Sequence, residues 1–376
     1  MTSPFPKSSS VGGEGLIVAA LLPQGHSGLE AMTFQYPLKL ITAMRPPETK
    51  SALVFLLTYG GGLVGGDRVS LAIEVRPGAR LSLATQGHTK IFKSPSPDVV
   101  TRQLMRVDVA TGGALCLLPD PVQPFAESVY NQVQIFRMAR GASLCLLDWV
   151  TQGRRAFGED WSFVRWTGRN EVWLAEGSEE DDKKKKKKTE NEDGPGMVEK
   201  GDRLLVRDSV VLDSRGAHPQ FPSLRETMHG LAVTGTLVLR GPLVKALGDF
   251  FLAEFAALPR LGARDWRSDS EAKLKQQETL APKEQWRAER LRMEKEHRVL
   301  WSAASVRGCV VVKFAAPDFE AGRRWIGSML AEEGSIAQHF GEQALMCVRI
   351  KSEPNSLDCL GGMKEGQASL HRSSTA

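Results

Sequence analysis

The sequence predicts a mainly β fold of irregular stacked sheets, with a few helices confined to its C-terminal part. Three observations lead there. Apolar and polar residues alternate through the first half of the chain, the pattern of half-buried strands. A glycine and alanine turn recurs between those runs. Helical spacing of apolar residues begins only beyond Pro242.

Leu16 to Leu22 is an apolar run of seven residues after Lys7. Glu14 abuts it, and Pro23-Gln24-Gly25-His26 follows where a signal peptide would carry small cleavage residues, so the run reads as a first strand. No apolar stretch is long enough to span a membrane. Gly60, Gly62 and Gly65 then fit G-x-G-x-x-G, which cradles a dinucleotide only when a helix follows. Val69, Leu71, Ile73 and Val75 alternate instead with Ser70, Ala72 and Glu74, so a strand follows and the nucleotide reading fails. Gly66-Asp67 stands where a P-loop requires Gly-Lys, which removes that reading too.

A faint repeat organises the next stretch. Strands end at Val75, Val109 and Met138, turns follow at Gly78-Ala79, Gly113-Ala114 and Gly141-Ala142, and leucine-rich strands resume at Leu81, Leu115 and Leu144. The expectation is three stacked hairpin-like units. Their glycines lie 35 and then 28 residues apart, too uneven for a strict solenoid.

Glu176 to Asp202 is different material: acidic Glu179 to Asp182, the run Lys183 to Lys188, acidic Glu190 to Asp193, then Gly194-Pro195-Gly196. Almost nothing in it is apolar, so a disordered insertion is expected, with Glu171 to Leu174 and Leu204 to Leu212 pairing across it. The lysine run admits a nuclear-localisation or anion-binding reading, against which its flanking carboxylates weigh.

Leu243, Leu247, Phe250, Phe251 and Phe255 share one helical face after Pro242, which suits a helix start. Lys283 to Trp301 reads as a charged surface helix or a partner-binding one, and Asp318 to Leu330 as a capped helix. Residues 353–376 are rich in Ser, Gly and charge, and a disordered tail is expected. The organisation is thus a single domain over residues 15–350 carrying the insertion at 176–202.

The formal charge of +5 rests on the six lysines of the 183–188 run, without which the remainder is −1, so no nucleic-acid-binding face is implied. Cys116, Cys145, Cys309, Cys347 and Cys359 are odd in number and widely spaced, arguing against disulfides and zinc and for a cytoplasmic protein. Hydrolase and zincin motifs are missing, so a non-enzymatic role is expected. What remains are carboxylates near strand ends and turns. Turn chemistry accounts for Asp120 and Asp160, whereas Asp67, Glu127 and Asp148 are candidates to face a polar interior. Thr85, Gln86, Thr89 and Lys90 either hold a turn or line a polar passage, and His88 stands among them. Carboxylate oxygens hold a late divalent transition-metal ion more weakly than imidazole or thiolate, which suits passage better than storage.

Gly61 to Asp67, GGLVGGD, followed by strands and Thr85-Gln86-x-x-Thr89-Lys90, resembles the hallmark of the UreD (UreH) urease accessory protein family. Tyr36-Pro37-Leu38-Lys39, Leu118-Pro119-Asp120-Pro121 with Pro124-Phe125, and Asp148-Trp149 with Gly153-Arg154 and Gly158-Glu159 are similar to further family elements. Gly235-Thr236-Leu237, and Val310 to Phe314 before a helix from Asp318, extend the match over about Gly15 to Leu345. The resemblance is to a eukaryotic, fungal-type member. It implies a β-helix-like topology in which Gly61, Gly62, Gly65 and Gly66 are structural. It further implies a urease maturation factor, a nickel-insertion chaperone that bridges the urease apoprotein to a UreF-like protein and a UreG-like GTPase. Transient nickel(II), with no tightly bound cofactor, would pass by Asp67, Thr85, His88, Lys90, Glu127 and Asp148. Neither nucleic acid nor membrane is an expected partner. The rival reading, a stand-alone β-sheet ligand-binding module, would need an aromatic platform, and the three tyrosines and eight tryptophans are scattered.

Overall fold

The structure is a computed structural model that describes residues 11–42, 50–176, 198–199, 201–214, 222–258 and 281–349. The lysine run, most of the 176–202 insertion, the 353–376 tail and Cys359 lie outside the described residues.

Two sheets form. The first contains β1 (Glu14–Leu21), β2 (Ser27–Phe34), β5 (Arg68–Val75), β8 (Thr101–Val109), β11 (Val129–Met138), β13 (Arg165–Leu174) and β14 (Arg203–Asp213), in the order β14-β13-β11-β8-β5-β1-β2. The second contains β3 (Leu38–Thr42), β4 (Ala52–Thr58), β6 (Arg80–Ala84), β9 (Ala114–Leu117), β12 (Ser143–Thr151), β15 (Val233–Arg240), β16 (Leu300–Val306) and β17 (Cys309–Ala316), in the order β16-β17-β15-β12-β9-β6-β4-β3. Short β7 (Thr89–Ile91) and β10 (Val122–Pro124) pair with each other, and β10 joins β12.

The recurrent glycine turns do not close hairpins. Each carries the chain from the first sheet into the second: β5 to β6, β8 to β9, β11 to β12. The two strands joined by one of these turns therefore do not pair with each other, and each pairs in parallel with its counterpart in the next unit, Val75 opposite Val109 and Leu81 opposite Leu115. The corners stack on one another, with the Ala114 N–H donating to Ala79 O at 2.9 Å and the Ser143 N–H to Gly113 O at 3.0 Å. Ala79, Ala114 and Ala142 are buried there, where a larger side chain would part the sheets. Antiparallel pairs flank this parallel middle, β1 with β2 and β13 with β14 in one sheet, β3 with β4 and β12 with β15 in the other. Both sheets are consequently mixed among the described residues, with parallel stacking confined to their middle strands. The strands flanking the insertion do pair across it, Glu171 opposite Arg207 and Val172 opposite Val206.

Packing makes three layers. Val69, Leu71, Ile73, Met105 and Val107 of the first sheet meet Leu81, Leu83, Leu115, Leu144 and Leu146 of the second. The opposite face of the second sheet, with Cys145, Leu147, Trp149, Leu237 and Phe314, is covered by helices bearing Phe251, Trp325, Ile326 and Met329. Cys116, Cys145, Cys309 and Cys347 are free and buried, filling space as small apolar side chains.

Those helices follow short α1 (Leu224–Thr227): α2 (Lys245–Ala256), α3 (Pro282–Glu296), α4 (Phe319–Glu333) and α5 (Ser335–Phe340). Asp318 caps α4, accepting the Ala321 N–H at 2.8 Å, as the sequence predicts. The charged segment departs from expectation twice. The helix ends at Glu296, and after Arg298 (φ 52°) the chain enters β16, so Trp301 is a strand residue. Its charges are also not simply solvated. Arg290, with a 1% exposed side chain, bonds Glu254 of α2 at 3.1 Å and Glu294 at 2.6 Å, and Trp325 donates to Glu294 at 2.8 Å. Arg287 hydrogen-bonds Glu254 and holds its carboxyl below the usual range.

Breaking a buried pair by removing one partner strands the other charge, at about 3–5 kcal/mol. Arg290→Met is expected to destabilise by that much in urea unfolding, because Glu254 and Glu294 lose their shared cation. Arg292→Met, in an exposed pair with Glu289, should change stability by less than about 1 kcal/mol.

Candidate functional site

The GGLVGGD segment lies along residues 90–95. The Leu63 N–H donates to Lys90 O and the Phe92 N–H to Leu63 O, both at 2.9 Å. This contact explains Gly65, where a Cβ would fall 2.5 Å from Pro95 Cδ and 3.0 Å from Ser94 Cα. Gly66, at φ 91°, turns the chain into β5 in a conformation that side-chain-bearing residues rarely adopt. Asp67 closes that turn: its Oδ2 accepts the Val64 N–H at 2.9 Å and its own N–H donates to Val64 O at 3.0 Å. Glu127, at φ 61°, is paired with Lys93 with its side chain 61% exposed.

The interior is more informative. Along β12 the residues Leu144, Leu146, Asp148 and Val150 alternate toward the first sheet, and Asp148 is the one carboxylate in that row. Gln132 Nε2 of β11 donates to Asp148 Oδ1 at 2.9 Å, and Asn170 Nδ2 of β13 to Oδ2 at 2.6 Å. Tyr130 donates its hydroxyl to Gln132 Oε1 at 3.2 Å, while Asn170 Oδ1 has no hydrogen-bond partner among the described residues. Farther along the seam, Lys313 Nζ of β17 bonds Asp208 Oδ1 of β14 at 2.6 Å and Thr236 Oγ1 of β15 at 3.5 Å. A polar seam thus runs between two otherwise apolar sheet faces. Burial pushes the Asp148 carboxyl above its ordinary range, against the lowering effect of the Asn170 and Gln132 amides. Burial likewise raises the Tyr130 phenol.

A cavity of about 120 Å³ opens on this seam, lined by Gln103, Gln132, Gln134 and Asp148 from the strands. Its other wall is the Thr85 to His88 connection and Asp120. Asp120 holds that wall in place, accepting from Thr85 Oγ1 at 3.0 Å and the Gly87 N–H at 2.9 Å, so its carboxylate ties a distant connection to its own strand end where the sequence reading expects it to stabilise a local turn. His88 lies edge-on to Phe319 of α4 with centroids 4.7 Å apart, and burial lowers its imidazole below the usual value, favouring the neutral ring.

Of the residues singled out from sequence, Gly61, Thr85, Gln86, His88, Thr89, Asp120 and Asp148 line this cavity. Lys90 lines a neighbouring surface cleft instead, and Asp67 and Glu127 are engaged elsewhere as described. Gln103, Gln132, Gln134, Asn170, Asp208 and Lys313 were not foreseen. Their signal is a polar residue on the apolar phase of a strand, as in Tyr130-x-Gln132-x-Gln134-x-Phe136. Among the described residues no group of three or more His, Cys, Asp or Glu is placed to hold a metal ion. The cavity instead offers carboxylate, amide and hydroxyl oxygens with one neutral imidazole, donors that can replace part of a cation's hydration shell without enclosing it.

Residues 16–351 match the UreD urease accessory protein family. A ureD-like urease accessory protein of Schizosaccharomyces pombe is 30% identical over 312 residues, 82% of this chain and 90% of that protein. UreD of Sorangium cellulosum is 34% identical over 229 residues, covering 61% of this chain and 62% of its own length. Urease accessory protein D of Arabidopsis thaliana is 33% identical over 225 residues, covering 59% and 66%.

The Asp148 carboxyl has a testable pH signature. Its folded-state pKa is raised above the ordinary 3.8, so the folded protein retains a proton that the unfolded chain has released. Stability from this group therefore falls as pH rises from 3.8 through the folded-state value, by up to about 1.4 kcal/mol per pH unit. Asp148→Asn is expected to flatten the dependence of urea-unfolding stability on pH in that window. A variant with the wild-type slope would show that Asp148 titrates normally.

Proposed function

The chain belongs to the UreD urease accessory protein family, and from that membership we propose that it is a non-catalytic urease maturation factor that passes nickel(II) toward the urease apoprotein. It does so within a cytoplasmic complex containing a UreF-like protein and a UreG-like GTPase, the latter carrying the GTP chemistry. Nickel is cargo here, and no resident cofactor is invoked.

The observation that carries this reading is Asp148, a carboxylate at a core position between two sheets, bonded by neutral amides and facing a cavity. Half-burying a carboxylate with no cation in direct contact costs stability, as its raised pKa expresses. A divalent cation beside it reverses that balance by favouring the ionised form. The Thr85 hydroxyl and the side-chain oxygens of Gln132 and Gln134 stand in for water around the ion, and the neutral His88 ring presents a nitrogen lone pair. Oxygen-rich coordination of this kind leaves nickel easily surrendered to a site with more imidazole.

The test is activation of urease apoprotein by purified complexes across a nickel titration, with assembly followed by size-exclusion chromatography. Asp148→Asn is expected to assemble normally yet reduce activation at limiting nickel about tenfold, recovering at excess nickel, as loss of roughly 1.4 kcal/mol of cation attraction implies. Asp67→Asn should activate like wild type, since asparagine makes the same turn bond. Equal activation by Asp148→Asn at every nickel concentration would exclude this carboxylate from the path.

A further inference from the structure

A surface cleft of about 420 Å³ adjoins the cavity, and His88 lines both. Its walls include Phe125, Phe319 and Phe157, the last 75% exposed at the tip of the turn Arg155–Phe157. Arg154 lies 3.9 Å from the Phe125 ring centroid and 4.8 Å from that of Phe157. Its charge is already matched: Nε donates to Glu159 Oε1 at 2.9 Å and its backbone N–H to Oε2 at 2.8 Å. This fixes the guanidinium as a platform on which an aromatic ring can stack. Lys90 and Arg155 are exposed on the same cleft and form no salt bridge with any described residue. The carboxylate of Asp318, also on the cleft, is occupied in capping α4.

An aromatic floor with two cations, Lys90 and Arg155, against the single capping carboxylate of Asp318 is complementary to a ligand that is apolar at its centre and anionic at its ends. We propose that this cleft is the docking site for an acidic segment of a partner protein that carries an aromatic side chain. The aromatic ring packs against Phe157 and the Arg154 guanidinium, and flanking carboxylates meet Lys90 and Arg155. Because His88 separates the cleft from the cavity, such an occupant sits beside the interior seam. The inference goes beyond the nickel reading, since it holds whether or not a cation crosses the cavity.

The experiment measures fluorescence anisotropy of labelled peptides with the full chain. Glu-Glu-Phe-Glu-Glu is compared with Glu-Glu-Ala-Glu-Glu and with Lys-Lys-Phe-Lys-Lys, using wild type, Lys90→Glu/Arg155→Glu and Phe157→Ser, each checked for wild-type thermal unfolding. All three substituted residues are exposed. Wild type is expected to bind the acidic aromatic peptide saturably and more tightly than the other two. Each variant should weaken that binding about tenfold, and added salt should weaken it in wild type. Charge reversal should shift preference toward the basic peptide. Equal binding of acidic and basic peptides, or wild-type affinity in both variants, overturns the proposal. So does an RNA oligonucleotide that binds tighter than the peptide and is lost in the charge-reversed variant, or self-association that Phe157→Ser abolishes while no peptide binds.

Discussion

The middle of the second sheet, around β12, has little face left for water, and the rest of the molecule follows from that constraint. One side lies on the first sheet and the other beneath the helices, so every residue of β12 must be apolar or bonded within the protein. Leu144, Leu146 and Val150 meet the first requirement, and Trp149 meets both by donating Nε1 to Pro119 O at 2.8 Å. Asp148 meets only the second, through amides reaching from β11 and β13. A slip of one residue in β12 would carry the carboxylate into the helix layer and Trp149 into the seam, so these bonds also specify register.

The GGLVGGD turn serves this arrangement at a distance. By packing its backbone against residues 90–95 it secures the strand that follows the Thr85 to His88 wall, and that wall closes the cavity over the seam. The residues most recognisable in sequence are therefore architectural, and the polar side chains they enclose are scattered over strands far apart in the chain. In the nickel role proposed above, the turn would build the passage and the seam would supply its chemistry.

Much of this was legible from residue patterns, and the misses share one cause. Alternation located β5, the pairing of β13 with β14, and the mainly β class, because period and turn residues are local properties. A glycine turn after a strand looks the same whether the chain doubles back or crosses to a facing sheet, so corners read as hairpins. Charge in α3 reads as solvated until Glu254, from a helix earlier in the chain, is seen to hold Arg290. Asp67 and Glu127 sit in local turns that use their backbone conformation or carboxylates directly, whereas Asp148 stands in the middle of an apolar alternation. Gln132 and Gln134 occupy that same inward phase on β11, and only the facing carboxylate gives them meaning.

The account turns on whether a divalent cation occupies the space between the sheets. Anomalous diffraction at the nickel absorption edge, from crystals of the full chain soaked in nickel(II), addresses this directly. The account predicts a peak in the cavity beside Asp148 that is lost in Asp148→Asn. Peaks confined to the molecular surface, unchanged by that substitution, would contradict it.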